Sequence, residues 1–285
     1  MSGRRLVVVH AHPDDEAIST GGILARYAAE GVQVCLITCT DGEVGEIADL
    51  PEFADREAVR SRLGEVRASE LRESCRILGV SDLRLLGYHD SGMDGTAEND
   101  ADHAFVNQDL GEVVGRIVAI LREVRPQVVV TYNEVGFYGH PDHIRAHEAT
   151  AAAMEAAADP ARFPGAGDPW SVAKLYYTAV PKSRLRMAHE IFGGGREDRF
   201  SEEDIDRLGT EDELITTHVD VVAFVPLKFE ALEAHRTQRG TTEWFLSIPE
   251  ELRTLAMGVE HFVLASTTLP RPGGGEVDLF EGLET

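Results

Sequence analysis

Short apolar runs alternate with longer segments of helical periodicity over the first 180 residues of the chain. The apolar runs, rich in Val, Ile and Leu, predict strands at 6–9, 33–39, 83–86, 127–131 and 173–180. Between them, apolar positions spaced three and four residues apart predict helices at 17–30, 56–78, 109–124 and 143–158. Because apolar strands separated by helices pair in parallel, this pattern predicts a doubly wound α/β fold with a mainly parallel sheet and helices on both faces.

The alternation weakens after about residue 160, where a Pro- and Gly-rich stretch and an acidic stretch at 196–213 follow. A further strand is predicted at 219–225, and Pro226 suits the first turn of a helix that runs to about Arg239. Residues 267–285 are expected to lie as a tail over the surface. We therefore expect one compact domain, with an α/β core over residues 1–160 and a smaller α+β part over 161–285 that completes the sheet and the cleft.

Composition excludes two classes of partner. The chain has 285 residues with 27 Lys and Arg against 50 Asp and Glu, a net charge of −23, whereas proteins that bind nucleic acid or anionic lipid present basic patches. No window approaches the roughly 18 apolar residues that span a bilayer, and the amino terminus does not resemble a signal peptide. We expect a soluble cytoplasmic protein whose three cysteines, without C-x-x-C spacing, stay reduced.

Polar residues are concentrated directly after the predicted strands, where parallel sheets bind ligands. The segments after the first and fourth strands hold five of the 11 histidines, at positions 10, 12, 140, 143 and 147. The second strand is followed by Asp41 and Glu43, and the third by His89, Asp90 and Ser91. If the fold is as predicted, the two histidine-rich segments share one edge of the sheet.

A dinucleotide site needs glycines and a free helix N-terminus after the first strand. That turn instead carries three carboxylates, which repel phosphate, and the glycine pair at 21–22 comes too late. Imidazoles and carboxylates at one sheet edge suit a divalent cation. His12, Asp15 and His143 would supply three ligands and leave one position open, with Asp14 free to take a proton from water. These residues predict metal-assisted hydrolysis.

Two side chains leave alternatives open. His143 and His147, four residues apart on a helix, form another possible metal pair, although a surface position for His147 is favoured. Arg67 falls on the inward stripe of the second helix, marked by Leu63 and Leu71. A buried guanidinium must find a carboxylate or a ligand, so Arg67 either contacts a substrate or forms a structural ion pair.

Two motifs carry a resemblance to a known family. Ala11-His12-Pro13-Asp14-Asp15-Glu16 and His140-Pro141-Asp142-His143 resemble the paired signatures of the PIG-L/LmbE-like zinc-dependent N-deacetylases. The resemblance is close over about residues 5–150 and then rests on weaker matches such as Ala234-His235-Arg236-Thr237-Gln238. It implies a Rossmann-like, lactate-dehydrogenase-like fold and an enzyme that removes N-acetyl groups from glucosamine-containing small molecules.

The resemblance also implies a cofactor, Zn²⁺ with Fe²⁺ as the alternative, and a set of residue roles. Together with the residue pattern it assigns metal ligation to His12, Asp15 and His143; general base catalysis to Asp14; oxyanion stabilisation to Tyr138; protonation of the departing amine to His140, oriented by Asp142; and substrate binding to Ser19, Arg67 and Asp90.

Within the family, the chain is most similar to members that act on N-acetylglucosaminyl-inositol and on mycothiol S-conjugates. Ser19 stands where the conjugate amidase carries Lys, which favours the deacetylase. The acidic stretch at 43–66 departs from both enzymes, so an N-acyl sugar of a secondary-metabolite pathway stays open as a substrate. A non-catalytic sugar- or metal-binding protein is the alternative from another class, and a nucleotide-dependent oxidoreductase is disfavoured because the glycine motif is missing.

Overall fold

The computed structural model describes residues 3–192, 201–271 and 273–283. The strands in these residues are β1 (Arg5–His10), β2 (Gln33–Thr40), β3 (Asp82–Tyr88), β4 (Val128–Thr131), β5 (Lys174–Ala179), β6 (Thr217–Asp220) and β7 (Val259–Thr267). The α-helices are α1 (Asp15–Ser19), α2 (Gly21–Ala29), α3 (Arg56–Arg60), α4 (Leu63–Leu78), α5 (Leu110–Val124), α6 (Gly136–Gly139), α7 (Pro141–Ala158), α8 (Lys182–Phe192), α9 (Glu202–Leu208), α10 (Val225–Ala234), α11 (Arg239–Leu246) and α12 (Glu250–Met257). Short 3-10 helices occupy Pro51–Phe53, Phe105–Asn107, Asp212–Leu214, Val222–Phe224 and Arg236–Gln238.

All seven strands form one sheet in the order β3-β2-β1-β4-β5-β7-β6. The five strands from β3 to β5 are parallel, whereas β7 runs antiparallel to both β5 and β6. The predicted α/β class with a mainly parallel sheet is confirmed. β2 and β3 lie on one side of β1 in the sheet, and β4 and β5 lie on the other side. The connections therefore change direction at β1, and such a switch point opens a crevice at the carboxyl ends of the strands.

Alternate residues of the central strands form two hydrophobic cores. Leu6 and Val8 of β1 are completely buried under α2, α4 and α10, and Val7 and Val9 are equally buried against α5 and α7. Full burial of an aliphatic side chain of this size contributes about 1.5–3 kcal/mol. Helices therefore cover both faces of the sheet and hold the carboxyl ends of β1 and β4 at a fixed position.

Two of the predicted helices are interrupted. The one expected at 17–30 begins at Asp15 and breaks at Thr20, where φ is −135°. The one expected at 56–78 breaks at Arg62, where φ is −140°, into α3 and α4. The direction of α3 is set by a tertiary contact, since its Arg60 donates to the backbone carbonyls of Glu43 and Gly45 at 2.9 and 2.7 Å. These contacts hold α3 against the loop that follows β2.

The C-terminal part differs more from expectation. The strand expected at 219–225 is β6, which ends at Asp220, and the helix expected to reach Arg239 ends at Ala234. The pattern did not predict β7, α8, α9, α11 or α12. Part of the acidic stretch at 196–213 lies outside the described residues, and its described part forms α9 and a 3-10 helix.

The prediction that residues 267–285 lie as a tail over the surface was wrong for Glu276, Leu279 and Phe280. Leu279 is completely buried and Phe280 is 5% exposed. Glu276 is also buried, and its carboxylate accepts hydrogen bonds from Nζ of Lys174 at 2.5 Å and from the hydroxyl of Tyr176 at 2.7 Å. The segment completes the core beside β5. Across the described ranges, none of the helices is long and apolar enough to cross a membrane.

Candidate active site

The two histidine-rich motifs meet at the switch point of the sheet. β1 and β4 are parallel neighbours, so the segments that follow them leave from the same edge. The second motif begins α7 with Pro141 in its first turn, and His140 caps this helix by accepting the backbone N–H of Asp142 on Nδ1 at 3.1 Å. His143 therefore lies in the first turn of a helix whose start is fixed.

The three predicted metal ligands converge. Nδ1 of His12 lies 3.2 Å from Nε2 of His143, and Oδ2 of Asp15 lies 3.5 Å from each of these nitrogens. In a tetrahedral zinc site with bonds of about 2.1 Å, neighbouring ligand atoms are about 3.4 Å apart. All three side chains are buried. Two imidazole nitrogens and a carboxylate oxygen at this spacing form a donor set that fits a divalent cation.

Two other donor sets overlap the first. His12, His140 and His143 each offer a ligand atom within 4.8 Å of the others, and so do His12, His140, Asp90 and Asp142. Nδ1 of His140 already accepts a backbone N–H, which leaves Nε2 as its free nitrogen. The Asp15 oxygen lies equally close to the facing nitrogens of His12 and His143 and carries a negative charge, which favours Asp15 as the third ligand.

Asp142 contacts His12, which differs from its predicted role. Oδ2 of Asp142 lies 3.1 Å from Nε2 of His12 and also accepts the backbone N–H of Ser91 at 2.9 Å. A carboxylate that binds the outer ring nitrogen of a ligating histidine fixes its tautomer and orientation. The expected orientation of His140 by the Asp142 carboxylate is not observed, because Oδ2 contacts His12 and Ser91 while the backbone N–H of Asp142 contacts His140.

Tyr132 is a site residue for which the sequence analysis proposed no role. Its hydroxyl donates to Oδ2 of Asp15 at 2.7 Å and accepts the backbone N–H of Ala11 at 2.8 Å. Its ring stacks on that of His143 with 4.1 Å between the centroids. Tyr132 thus touches two of the three candidate ligands. Its position directly after β4, on the ligand-binding edge, was the available signal.

Asp14 lies beside this group and is paired with Arg67. Oδ2 of Asp14 is 3.3 Å from Nη2 of Arg67. Burial, opposed by the Arg67 charge and reinforced by the charge of Asp15, raises the pKa of Asp14 to about 6. A carboxylate with such a pKa can exchange a proton near neutral pH.

The inward position predicted for Arg67 is confirmed, since the side chain is 3% exposed. Nη1 donates to the carbonyl of Gly42 at 2.7 Å and Nη2 to the carbonyl of Pro13 at 2.5 Å. The structural ion pair that the sequence left open is therefore present, and the same guanidinium ties the loops after β1 and β2 together.

Tyr138 and His140 border the candidate metal position. The ring centroid of His140 lies 4.5 Å from that of His12, and the centroid of Tyr138 lies 5.0 Å from that of His143. Burial and the neighbouring histidine charges lower the pKa of His140 to about 3, whereas burial raises the pKa of the Tyr138 hydroxyl above its usual range. The residue before Tyr138, Phe137, has a φ of +65°, a strained conformation for a side chain of this size.

Asp90 and Ser19 are the remaining predicted site residues, and His147 is the alternative ligand. Oδ1 of Asp90 accepts the backbone N–H of Gly92 at 2.8 Å and lies 3.7 Å from Nε2 of His12. Ser19 lines a mainly apolar cavity of about 240 Å³. His147 is half-buried and its Nδ1 contacts the carbonyl of Tyr132 at 3.0 Å, so this ring faces the backbone and the alternative of a pair with His143 is not supported.

The chain is similar in sequence to proteins of one family. Residues 7–154 match the family described as PIG-L: GlcNAc-PI de-N-acetylase. A protein of Thermomonospora curvata named 1D-myo-inositol 2-acetamido-2-deoxy-alpha-D-glucopyranoside deacetylase is 46% identical over 297 residues, which cover 98% of this chain and 97% of the relative. The chain belongs to the PIG-L family.

Solved structures share the fold at low sequence identity. N,N'-diacetylchitobiose deacetylase from Pyrococcus horikoshii has a TM-score of 0.61 and 20% identity, with 92% of this chain and 82% of that chain covered. The 4-carboxy-2-hydroxymuconate hydratase GalB from Pseudomonas putida has a TM-score of 0.63 and 18% identity, with 94% and 98% covered. Since a deacetylase and a hydratase both have this fold, the fold alone does not fix the reaction.

Proposed function

We propose that this protein is a metal-dependent amidohydrolase that removes the N-acetyl group of a glucosamine-containing substrate of the N-acetylglucosaminyl-inositol type. The observation that carries the proposal is the convergence of His12, Asp15 and His143, with Asp14 beside them. The nearly full-length similarity to a deacetylase of 1D-myo-inositol 2-acetamido-2-deoxy-alpha-D-glucopyranoside supports the substrate class. The strand order around β1 supports a Rossmann-like, lactate-dehydrogenase-like classification.

His12, Asp15 and His143 would hold the cation, for which we propose Zn²⁺, with Fe²⁺ as the alternative that the same ligands accept. When bound, such an ion lowers the pKa of a water molecule towards neutrality and polarises an amide carbonyl. The carboxylate of Asp142 would keep the His12 ring in the orientation that ligation requires.

The protein side chains would move one proton in two steps. Asp14 accepts a proton from the water whose oxygen forms a bond to the acetyl carbon, and the Tyr138 hydroxyl donates a hydrogen bond to the resulting oxyanion. The C–N bond then breaks, and the sugar nitrogen takes the proton that Asp14 had accepted. The predicted role of His140 as the acid would need its charged form, whereas its pKa of about 3 and the backbone N–H on its Nδ1 keep the ring neutral, so we propose that its Nε2–H donates a hydrogen bond to the substrate. Acetate and the free amine are the products. Removal of one oxyanion donor typically costs about 3–4 kcal/mol of transition-state stabilisation.

Arg67, Asp90 and Ser19 would form the substrate side of the site. Asp90 offers its second oxygen to a sugar hydroxyl while Oδ1 is held by Gly92. Arg67 keeps a buried Nε without a hydrogen-bond partner in the described residues. The apolar cavity next to Ser19 and Phe137 favours one second candidate, an amidase that cleaves a larger acyl group such as that of a mycothiol S-conjugate.

The proposal is tested by metal analysis together with amine release from N-acetylglucosaminyl-inositol. Asp14→Asn should keep one metal per chain and lower kcat by about 10²- to 10⁴-fold, the usual contribution of general acid–base catalysis, whereas His143→Ala should lose the metal. Glu148→Gln, at an exposed position of α7, is the control and should change neither. Amine release that survives complete metal removal would contradict the proposal, and a preference for the S-conjugate would favour the second candidate.

A further inference from the structure

One buried carboxylate joins three distant segments of the chain behind the candidate site. Oε2 of Glu16 accepts the backbone N–H of Asp14 at 3.0 Å. Oε1 accepts the hydroxyl of Ser74 in α4 at 2.5 Å and Nε2–H of His235 at 2.7 Å. The side chains of Glu16, Ser74 and His235 are completely buried. This carboxylate therefore links the backbone of residue 14 to a residue more than 200 positions away.

Asp14 needs such support because its backbone is unusual. Its φ is +120° and its ψ is −28°, a conformation that side-chain-bearing residues rarely adopt. Such conformations persist where the surroundings hold them in place, and they are concentrated at functional sites. Glu16 holds the backbone N–H of Asp14, and Arg67 pairs with its carboxylate.

The side chain of His235 makes no hydrogen bond other than the one to Glu16 in the described residues. It follows the last residue of α10, and its Nδ1 has no hydrogen-bond partner among the described residues. The same segment is anchored to α4 independently, since the backbone N–H and the hydroxyl of Thr237 donate to Glu70 at 2.8 and 2.6 Å. The contact of His235 with Glu16 is therefore not required to hold the end of α10 in place.

We propose that His235 is a positioning residue for Asp14 and acts through Glu16. The Nε2–H of His235 fixes the Glu16 carboxylate, which fixes the backbone N–H of Asp14 and so the direction of the Asp14 side chain. This proposal rests on the proposed function, in which Asp14 takes a proton from water. Small displacements of such a group lower the rate steeply, because a shift of about 1 Å can cost about 10²-fold.

A matched pair of amide variants tests the contact. In His235→Gln the side-chain nitrogen reaches approximately the position of Nε2, whereas in His235→Asn it falls short of Glu16. The first readout is hydrogen exchange of the peptide covering residues 10–18 in the metal-loaded protein, which needs no enzymatic activity. His235→Asn should accelerate exchange in this peptide, and His235→Gln should leave it near the wild-type rate, with metal content unchanged in both.

The second readout is amine release from N-acetylglucosaminyl-inositol. We expect His235→Asn to lower kcat by about 10- to 100-fold with KM changed by less than about threefold, and His235→Gln to retain most of kcat. In an Asp14→Asn background the same His235→Asn change should alter kcat by less than about twofold, because residues that act through one another are not additive.

Thr237→Val is the control, since it removes a buried hydrogen bond from the same segment without touching Glu16, and it should leave kcat and the exchange of residues 10–18 unchanged. Three results would overturn the proposal: wild-type exchange in His235→Asn, an undiminished effect of His235→Asn in the Asp14→Asn background, or an equal loss in Thr237→Val. If His235→Asn does not fold, Ser74→Ala replaces it in both readouts. A wild-type protein that releases no amine would refute the proposed function, while the exchange rates would still test the link from His235 to Asp14.

Discussion

Oδ2 of Asp142 lies 3.1 Å from Nε2 of His12, and the other ring nitrogen of His12 faces Asp15 and His143. Asp142→Asn should therefore weaken metal binding by about 10- to 100-fold, the usual effect of losing a carboxylate behind a ligating histidine. Competition with a chelator of known affinity measures this. An unchanged affinity in Asp142→Asn would show that the contact does not serve metal binding.

Tyr132→Phe tests the second support of the ligand set. The variant keeps the ring that stacks on His143 but removes the hydroxyl that donates to Asp15 and accepts from Ala11. Because the Ala11 N–H is then left buried without this partner, we expect a loss of about 1–3 kcal/mol in the free energy of unfolding, together with weaker metal binding. Urea unfolding of the metal-free and metal-loaded forms separates the two effects. Equal stability of variant and wild type in both forms would contradict this role.

Phe280→Ala tests the corrected path of the C-terminal segment. Phe280 is 5% exposed and meets the ring of Tyr27 edge-on, with 5.3 Å between the centroids. Truncation of a buried Phe costs about 3–5 kcal/mol, so we expect a loss in that range in urea unfolding. Val277→Ala, at a position that is 66% exposed, is the control and should change little. Similar small losses of unfolding free energy in both variants would show that the segment lies on the surface.

His261 should make stability depend on pH away from the metal centre. Its Nδ1 lies 2.8 Å from Nδ1 of His218 on the neighbouring strand, with Arg184 and Asp212 nearby. Burial, aided by the charges of His218 and Arg184, lowers the pKa of His261 from 6.5 to about 4. Between these pH values the unfolded chain binds a proton that the folded protein does not, so stability falls as the pH is lowered.

The corresponding measurement is the melting temperature of wild type and His261→Gln between pH 6.5 and 4. The wild type should lose more stability than the variant over this window, since the variant lacks the titrating group. His189→Gln, at an exposed position of α8, should follow the wild type. Parallel curves for wild type and His261→Gln would show that this histidine does not titrate differently in the two states.

The sequence predicted the fold well where short-range patterns decide it. The strands β1 to β4 and the helices α5 and α7 follow from apolar runs and helical periodicity, because both faces of these strands are covered by helices. The breaks at Thr20 and Arg62 and the short helix α6 do not follow from these patterns. β7 could not be predicted in the same way, since its pattern contains Glu260. That residue is buried because it pairs with Lys228 at 2.5 Å and accepts the backbone N–H groups at the start of α2. No local signal reveals these distant partners.

In the candidate site, too, some residues could be predicted from the sequence and others could not. His12, Asp15 and His143 could be predicted because their two motifs follow adjacent parallel strands, and the topology brings such segments together. The hydrogen-bond partners of these residues could not be predicted, because they are determined by tertiary packing. The Asp142 carboxylate contacts His12 rather than His140, and His235 reaches Glu16 from the far end of α10.

In the proposed site, one divalent ion is held by His12, Asp15 and His143 while Asp14 stays outside the coordination shell. Anomalous diffraction at the zinc absorption edge from crystals of the metal-loaded protein tests it most directly. We expect a single strong peak about 2.0–2.2 Å from Nδ1 of His12, Nε2 of His143 and a carboxylate oxygen of Asp15, with both Asp14 oxygens beyond bonding distance. A peak bound by Asp14, or one that lies away from His143, would contradict it.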